Sequence, residues 1–240
     1  MNSSHKVVAL IQARIGSRRF PGKMLRKLSG HPLIEWVLRR VQQSQNLDAV
    51  VLATTNLNDD DPLVEFSNGL NVPVYRGSEN DVLGRFVEAS KKFEGEIIVR
   101  ICADNPFVAP EEIDRAVSFF LEGESDYVFN HIPQMNNRYP DGLGVEVMRA
   151  ELLESMNALP LEPRHREHVT SYIWDHTLQF KLAPVPCPPE IQNYGENVKL
   201  DIDTPADLER LEKVGRLLKF DSTPQEILKA WQDLYGQNRT

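Results

Sequence analysis

Four cations fall within ten residues near the start of the chain: Arg14, Arg18, Arg19 and Lys23, in Ala13-Arg14-Ile15-Gly16-Ser17-Arg18-Arg19-Phe20-Pro21-Gly22-Lys23. A chain whose net charge is −8 has little general reason to concentrate positive charge there. Loop amides together with Arg and Lys side chains make a receptor for phosphate oxygens. The stretch lacks the G-x-x-x-x-G-K-[ST] of a P-loop and the G-x-G-x-x-G of a dinucleotide fold. A polyphosphate here would therefore be held by side-chain cations more than by a glycine cradle. The competing reading is a solvated basic turn.

Acidic residues far along the chain could complete such a site. Asp104 lies in Cys102-Ala103-Asp104-Asn105-Pro106, just past an apolar run. Asp201 and Asp203 are two apart at the end of another, so in a strand both carboxylates would point to one face. Mg²⁺ takes one or two carboxylates together with phosphate oxygens and water. Asp203 could instead cap a helix over 204–219, and Asp104 could form a turn before Asn105-Pro106. With the basic loop, a metal–polyphosphate site is the better account of all three acids. Cys102 reads as a buried strand thiol rather than a nucleophile. His165 and His168, three apart on an expected helix, lack the partners of a zinc site and suggest a polar face toward a ligand or a neighbouring subunit. Pro140-Asp141-Gly142 has plain turn chemistry. Glu146 is harder to dismiss, since it interrupts an apolar strand. Ser78 to Asp81 has a capping-box-like pattern, with Asp81 and Arg85 an i,i+4 pair.

The elements that must position these groups alternate. Val7–Ile11 reads as a buried strand, followed by an amphipathic helix over about 31–44, strands at 48–55 and 72–75, and a short helix near 60–69 between them. A helix beginning at Ser78 buries Val82, Phe86, Ala89 and Phe93. A strand at 96–102 and a helix opened by Pro110 follow. This alternation predicts an α/β fold with a mainly parallel, helix-covered sheet. From 126 to 198 the pattern changes to expected strands at 127–130 and 143–148, helices at 149–158 and 163–176, and a Pro-rich tail. That segment reads as an excursion from a single domain spanning 1–240, serving as an acceptor lid or dimer contact. A strand at 199–202, a helix begun by Thr204-Pro205 and a last helix at about 223–235 close the chain.

Composition bounds the partners. With 41% hydrophobic and 26% charged residues, the chain can bury a real core. The acidic balance argues against general nucleic-acid binding, which needs a basic surface. Only Cys102 and Cys187 are present, which suits a reducing compartment. The polar stretch Met1–Lys6 and the short run after it resemble neither a signal nor a membrane span, so a cytoplasmic location is expected.

Ile11-Gln12-Ala13-Arg14-x-x-Ser17-x-Arg19-x-Pro21-Gly22-Lys23 resembles the first motif of the CMP-sugar synthetases, the acylneuraminate and KDO cytidylyltransferases. The branch that includes SpsF, a spore-coat polysaccharide protein, is more similar still. Its likeness continues through Arg76-Gly77-Ser78-Glu79-x-Asp81-Val82-Leu83-x-Arg85, Arg100-Ile101-x-Ala103-Asp104-x-Pro106, Tyr139-Pro140-Asp141-Gly142-Leu143-x-Val145-Glu146, Arg166-Glu167-His168-Val169-Thr170 and Leu200-Asp201-x-Asp203-Thr204-Pro205. The resemblance implies a GT-A-like nucleotidyltransferase fold, CTP as donor, Mg²⁺, and a homodimer built through the excursion. It implies that Ala13, Arg14, Ser17, Arg19 and Lys23 hold the triphosphate, while Thr54, Asn56, Ser78, Asp81 and Arg85 surround cytosine and ribose. Arg14, Lys23 and Asp104 would carry catalysis; Asp104, Asp203 and Asp201 would bind metal; Asp141, Glu146, Arg166 and His168 would face the acceptor. The Arg100 pattern departs from the sialate and KDO enzymes. The expected reaction is transfer of CMP to a sugar acid or phosphorylated acceptor, in surface polysaccharide or glycoconjugate biosynthesis. The alternatives are a GT-A glycosyltransferase, which the D-x-D at 201–203 superficially suits, and a non-catalytic nucleotide-binding protein.

Overall fold

The apolar run after Lys6 forms β1 (Val7–Gln12), and its two faces pack into two separate cores: Val7, Ala9 and Ile11 into one, Val8 and Leu10 into the other. In this computed structural model the described residues are 5–17, 19–131, 135, 137–194 and 198–236; Arg18 of the basic loop and Met1–Ser4 lie outside them. A hairpin of β2 (Lys27–Leu28) and β3 (His31–Pro32), absent from the sequence reading, precedes α1 (Leu33–Val41). Then follow β4 (Ala49–Thr55), α2 (Asp61–Gly69), β5 (Val74–Gly77), α3 (Val82–Lys92), β6 (Ile97–Cys102) and α4 (Pro110–Glu122). The 126–198 segment supplies β7 (Tyr127–Phe129), β8 (Glu146–Arg149), α5 (Ala150–Asn157), α6 (Pro163–Glu167), α7 (Ser171–Asp175), β9 (Leu182–Pro184) and α8 (Pro189–Gln192). Two helices, α9 (Pro205–Gly215) and α10 (Pro224–Tyr235), end the described chain, each opened by a Thr capping box with Pro in its first turn.

Seven strands form one sheet in the order β5-β4-β1-β6-β8-β7-β9. All neighbouring pairs are parallel except the two made by β8, which runs against both β6 and β7. This is the mainly parallel, mixed and helix-covered sheet expected from the alternation. Leu33, Trp36, Leu63, Ile113, Leu211 and Ile227 pack on one face, and Val82, Phe86, Leu153 and Ile173 on the other. From β1 the chain winds outward to β4 and β5, then returns so that β6 lies on β1's opposite side. The order thus reverses between β1 and β6, and ligands of open α/β sheets bind at the carboxyl ends of strands at such a point.

Several expectations are corrected. No strand forms at 199–202, where only a single bridge joins Lys199 to Asp141. The expected helix at 163–176 is two, because residues 168–170 leave the helix: His168 takes φ −109°, ψ 91°. β-Branched Val169 and Thr170 favour that break, and both side chains are buried. The 143–148 strand begins only at Glu146, since the Asn130 side chain occupies the backbone of Leu143 and Val145 instead of a strand partner. The helix expected from Ser78 begins after Asp81, whose carboxylate accepts from Gly84 N at 2.9 Å, while Ser78 Oγ accepts from Asp81 N. Asp81 is therefore the cap, and Arg85 donates to Ser78 O rather than pairing along the helix.

Candidate functional site

The basic loop leaves the carboxyl end of β1 and turns back on itself. Ser17 N and Gly22 N both donate to Ile15 O, and Gly22 takes φ 71°, a left-handed conformation open to glycine. A 3₁₀ turn at Lys23–Leu25 then aims Lys23 inward. The base of the loop is pinned by Asp60, a buried residue outside the motifs. Its Oδ1 accepts from Ile15 N at 2.7 Å, while Oδ2 accepts from Thr54 Oγ1, Thr55 N and Thr55 Oγ1. Burial would raise the Asp60 pKa, but these hydrogen bonds outweigh it and hold the carboxyl below its ordinary value. Arg76 fixes the next loop by donating to Thr55 O, Leu57 O and Asp61.

Asp104 and Asp203 meet because their loops are hydrogen-bonded: Ile202 N donates to Asp104 O at 2.8 Å. Lys23 Nζ lies between them, 3.3 Å from Asp104 Oδ2 and 3.6 Å from Asp203 Oδ1, and donates to Ile202 O at 2.8 Å. Arg19 Nη1 donates to Asp203 Oδ2 at 2.6 Å. Two carboxylates from distant segments thus converge on a cationic centre. Asp203 does not cap the following helix, since Thr204 does. Asp207 accepts from Asp203 N and Thr204 N and so holds the Asp203 backbone in place. Asp201 does not share that face: it lies 3.5 Å from Lys199, its Oδ1 is buried without a partner, and burial followed by Asp141 pushes its pKa up to about 6. The convergence of the two carboxylates on an ammonium fits a hard cation taking two protein oxygens, with phosphate and water supplying the rest. Among the described residues no group of three His, Cys, Asp or Glu side chains gathers for a metal.

A cavity of 490 Å³ opens at the carboxyl ends of the paired strands β1 and β6. It brings together Ala13, Arg14, Ser17, Arg19, Lys23, Arg85, Asp104 and His168 from the sequence reading. Gln12, Arg100, Cys102 and Glu167 join them. Arg14 spans the cavity, 3.4 Å from Glu79 and 3.5 Å from Glu167. Burial, followed by nearby Arg14, lowers the Arg85 pKa to about 10. Burial pushes the Cys102 thiol up to about 12, which makes it inert.

Other expected site residues do not line the cavity. Thr54 is fully buried against Asp60, and Asn56 is exposed with its N donating to Gly77 O. Arg166 donates to Asn157 and Leu159 O and lies 3.7 Å from Asp81. Asp141 pairs through its backbone with Val198 and Leu200, across Gly142, whose φ of 97° and contact with Leu200 leave no room for a Cβ. His165 and His168 do not share a face. His165 is buried with Nε2 2.7 Å from Asp175 Oδ2, whereas His168 lines the cavity.

Glu146 is buried in β8, where it accepts from Arg100, Tyr127 Oη and Thr170 Oγ1. It holds Arg100, which faces the cavity, and does not face it itself. Burial opposes ionisation of both partners. The Glu146 carboxylate nonetheless holds Arg100 protonated, and Arg100 followed by His131 keeps Glu146 below the usual carboxylate range.

A helix-covered, mainly parallel sheet with a basic loop at its reversal point, opposed by two converging carboxylates, has the architecture of a nucleotide-handling α/β protein. The family model "Cytidylyltransferase" matches residues 8–235, and the chain belongs to that family; it is a nucleotidyltransferase. It is 39% identical over 199 residues to an uncharacterised protein of Methanocaldococcus jannaschii, covering 83% of this chain and 79% of the relative. It is 34% identical over 210 residues to the spore coat polysaccharide biosynthesis protein SpsF of Bacillus subtilis, covering 85% and 84%. A cytidylyltransferase structure from Leptospira borgpetersenii superimposes with a TM-score of 0.88 at 30% identity, covering 99% of each chain. Among the described residues no helix is long and apolar enough to cross a membrane.

Proposed function

We propose that this protein transfers CMP from CTP to a sugar acid or phosphorylated small-molecule acceptor, with release of pyrophosphate, in the biosynthesis of a surface polysaccharide or glycoconjugate. The observation that carries the reading is the Lys23 ammonium shared by Asp104 and Asp203, beside Arg14 and Arg19 at the sheet's reversal point. An acceptor oxygen attacks the α-phosphorus in line; the new P–O bond forms as the bond to the bridging oxygen breaks, and pyrophosphate leaves with those electrons. A hydroxyl acceptor gives its proton to solvent, whereas an ionised phosphate acceptor has none to lose. The protein's part is positioning and charge neutralisation. Arg14, Arg19 and Lys23 bind the triphosphate and draw charge toward the departing β- and γ-phosphates. Mg²⁺ would be held by Asp104 and Asp203 and would neutralise charge on the phosphate oxygens; Asp201, turned toward Lys199, would stay outside that pair. Lys23 would then turn from the carboxylates to the phosphates. His168 stands on the acceptor side of the cavity. The enzyme acts in the cytoplasm as a homodimer, a pairing supported by the fully exposed Leu178 in the 126–198 segment and checked by light scattering.

Incubation with each nucleoside triphosphate and Mg²⁺, across sugar acids and sugar phosphates, tests the reading. Pyrophosphate appearing only with CTP and an acceptor supports it. Release of a nucleoside diphosphate would mark a glycosyltransferase, and binding without turnover a sensor.

A further inference from the structure

Three of the chain's motifs meet at one buried carboxylate. Glu146 lies in β8 with 2% of its surface exposed. It accepts from Arg100 of β6, from Tyr127 of β7 and from Thr170 of the turn between α6 and α7. An acid so enclosed cannot contact a ligand directly, and it stays ionised only because donors surround it. Two of those connections lead to the cavity. Arg100 lines its floor and also donates to Gln12 Oε1 at 3.3 Å, and its Nε is buried with no partner. Thr170 anchors the turn that presents His168 at the cavity wall.

The donor side is already supplied with cations, since Arg14, Arg19 and Lys23 all leave the loop after β1. Arg100 comes from a different strand, two residues before Cys102 on the same strand face, and is separated from that loop by Gln12. It is a flat, permanently charged fork whose orientation is fixed from behind, the form that suits recognition of two oxygens of a carboxylate or phosphate. We infer that Arg100, oriented by Glu146, reads a carboxylate or phosphate group on the acceptor, with His168 beside it. Arg100 is then an acceptor-binding residue, and Glu146, Tyr127 and Thr170 are positioning residues. The inference rests on the cytidylyltransferase reading and names the acceptor's recognised group within it.

The test is calorimetric titration of protein saturated with Mg²⁺ and α,β-methylene CTP, which blocks transfer. The titrants are a 2-keto sugar acid, a hexose 1-phosphate and an uncharged hexose, so the first two arms separate carboxylate from phosphate. The wild type is expected to bind one or both oxyanions and not the hexose. Arg100→Lys keeps the charge but loses the fork, and should weaken that binding about 10-fold. Arg100→Gln alone strands Glu146, so the double variant Arg100→Gln/Glu146→Gln is used; it should weaken oxyanion binding on the order of 10–100-fold. Affinity for the nucleotide analogue should stay within about twofold in each variant, which a general loss of structure would not allow. Oxyanion binding unchanged in the Arg100 variants, equal binding of the hexose, binding of none of the three, or loss confined to the nucleotide overturns the inference. Failure of the wild type to bind the analogue at all is a failure of the cytidylyltransferase reading instead.

Discussion

Replacing Asp60 with Asn should loosen the nucleotide loop through a single misplaced donor. Oδ2 of Asp60 serves three donors, Thr54 Oγ1 at 2.8 Å, Thr55 N at 3.0 Å and Thr55 Oγ1 at 2.5 Å, whereas Oδ1 serves only Ile15 N at 2.7 Å. An asparagine keeps most by leaving its oxygen at the Oδ2 position. Its NH₂ then faces the Ile15 N–H, donor against donor, in a buried place. One orphaned backbone donor and the loss of charge from the other bonds together cost about 2–4 kcal/mol. In a chain of this size that lowers the melting midpoint by on the order of 10 °C. Because the broken bond is the one to Ile15, CTP affinity should also fall about 10-fold. Thr54→Val provides the contrast: it removes a donor from the same carboxylate without touching the loop, so it should cost stability and leave CTP affinity alone. Thermal unfolding and CTP titration of both variants make the check. An Asp60→Asn protein with wild-type midpoint and affinity would refute the pinning argument. The pH sign follows from the depressed pKa. Asp60's contribution is complete above its ordinary value of 3.8 and is lost as pH falls below that toward the folded-state pKa.

Further expectations come from the neighbouring contacts. Lys23→Ala should slow pyrophosphate release about 10²–10³-fold, the usual weight of one preorganised charge contact; unchanged kinetics would make it a mere space-filler. Asp104→Asn should abolish pyrophosphate release with the fold intact by circular dichroism, and full activity there would remove it from the site. Asp207→Ala strips the carboxylate that accepts from Asp203 N, Thr204 N and Thr204 Oγ1. It should cost about 1–2 kcal/mol of stability and raise the Mg²⁺ concentration needed for half-maximal rate, a shift that simple loss of a helix cap would not cause. With burial pushing Cys102 and Cys187 up to about 12, alkylation at pH 8 should be far slower than that of free cysteine. Rapid labelling of Cys102, followed by peptide mass mapping, would overturn that assignment.

Local physics made much of this molecule readable in advance. The parallel half of the sheet follows from apolar runs such as Val7–Ile11 and Glu96–Cys102, and α4 begins at Pro110 because proline suits a first helical turn. The approach of the basic loop to Asp104 was implicit in both following the carboxyl ends of strands, whereas the turn that brings Lys23 back across the loop was not. What escaped depends on partners distant in sequence. Asp60 looks like part of a polar loop until Ile15, 45 residues earlier, is brought to it. Glu146 stands out in the sequence as an acid within an apolar strand, but its partners Arg100 and Thr170 are set by β6 pairing and by the α6–α7 turn. The helix expected across 163–176 breaks where β-branched Val169 and Thr170 weaken the local preference and where burial of Val169 and the Thr170–Glu146 bond, both set by the tertiary fold, take over. The 199–202 strand failed for the opposite reason: Leu200 and Ile202 are buried, yet only Lys199 finds a strand-like partner.

The ammonium of Lys23 between Asp104 and Asp203, and the guanidinium of Arg14 between Glu79 and Glu167, mean that the resting site is nearly self-neutralised. On the proposed reading, nucleotide binding would be a swap of partners: phosphates would take over cations already engaged, and a divalent ion would take over the carboxylates they release. Such an exchange expels fewer bulk ions than a bare basic patch would. Affinity should therefore decline less steeply with added salt than the loop's count of positive charges suggests. Nucleotide and metal would then each clear the other's place, and each should bind more tightly in the presence of the other.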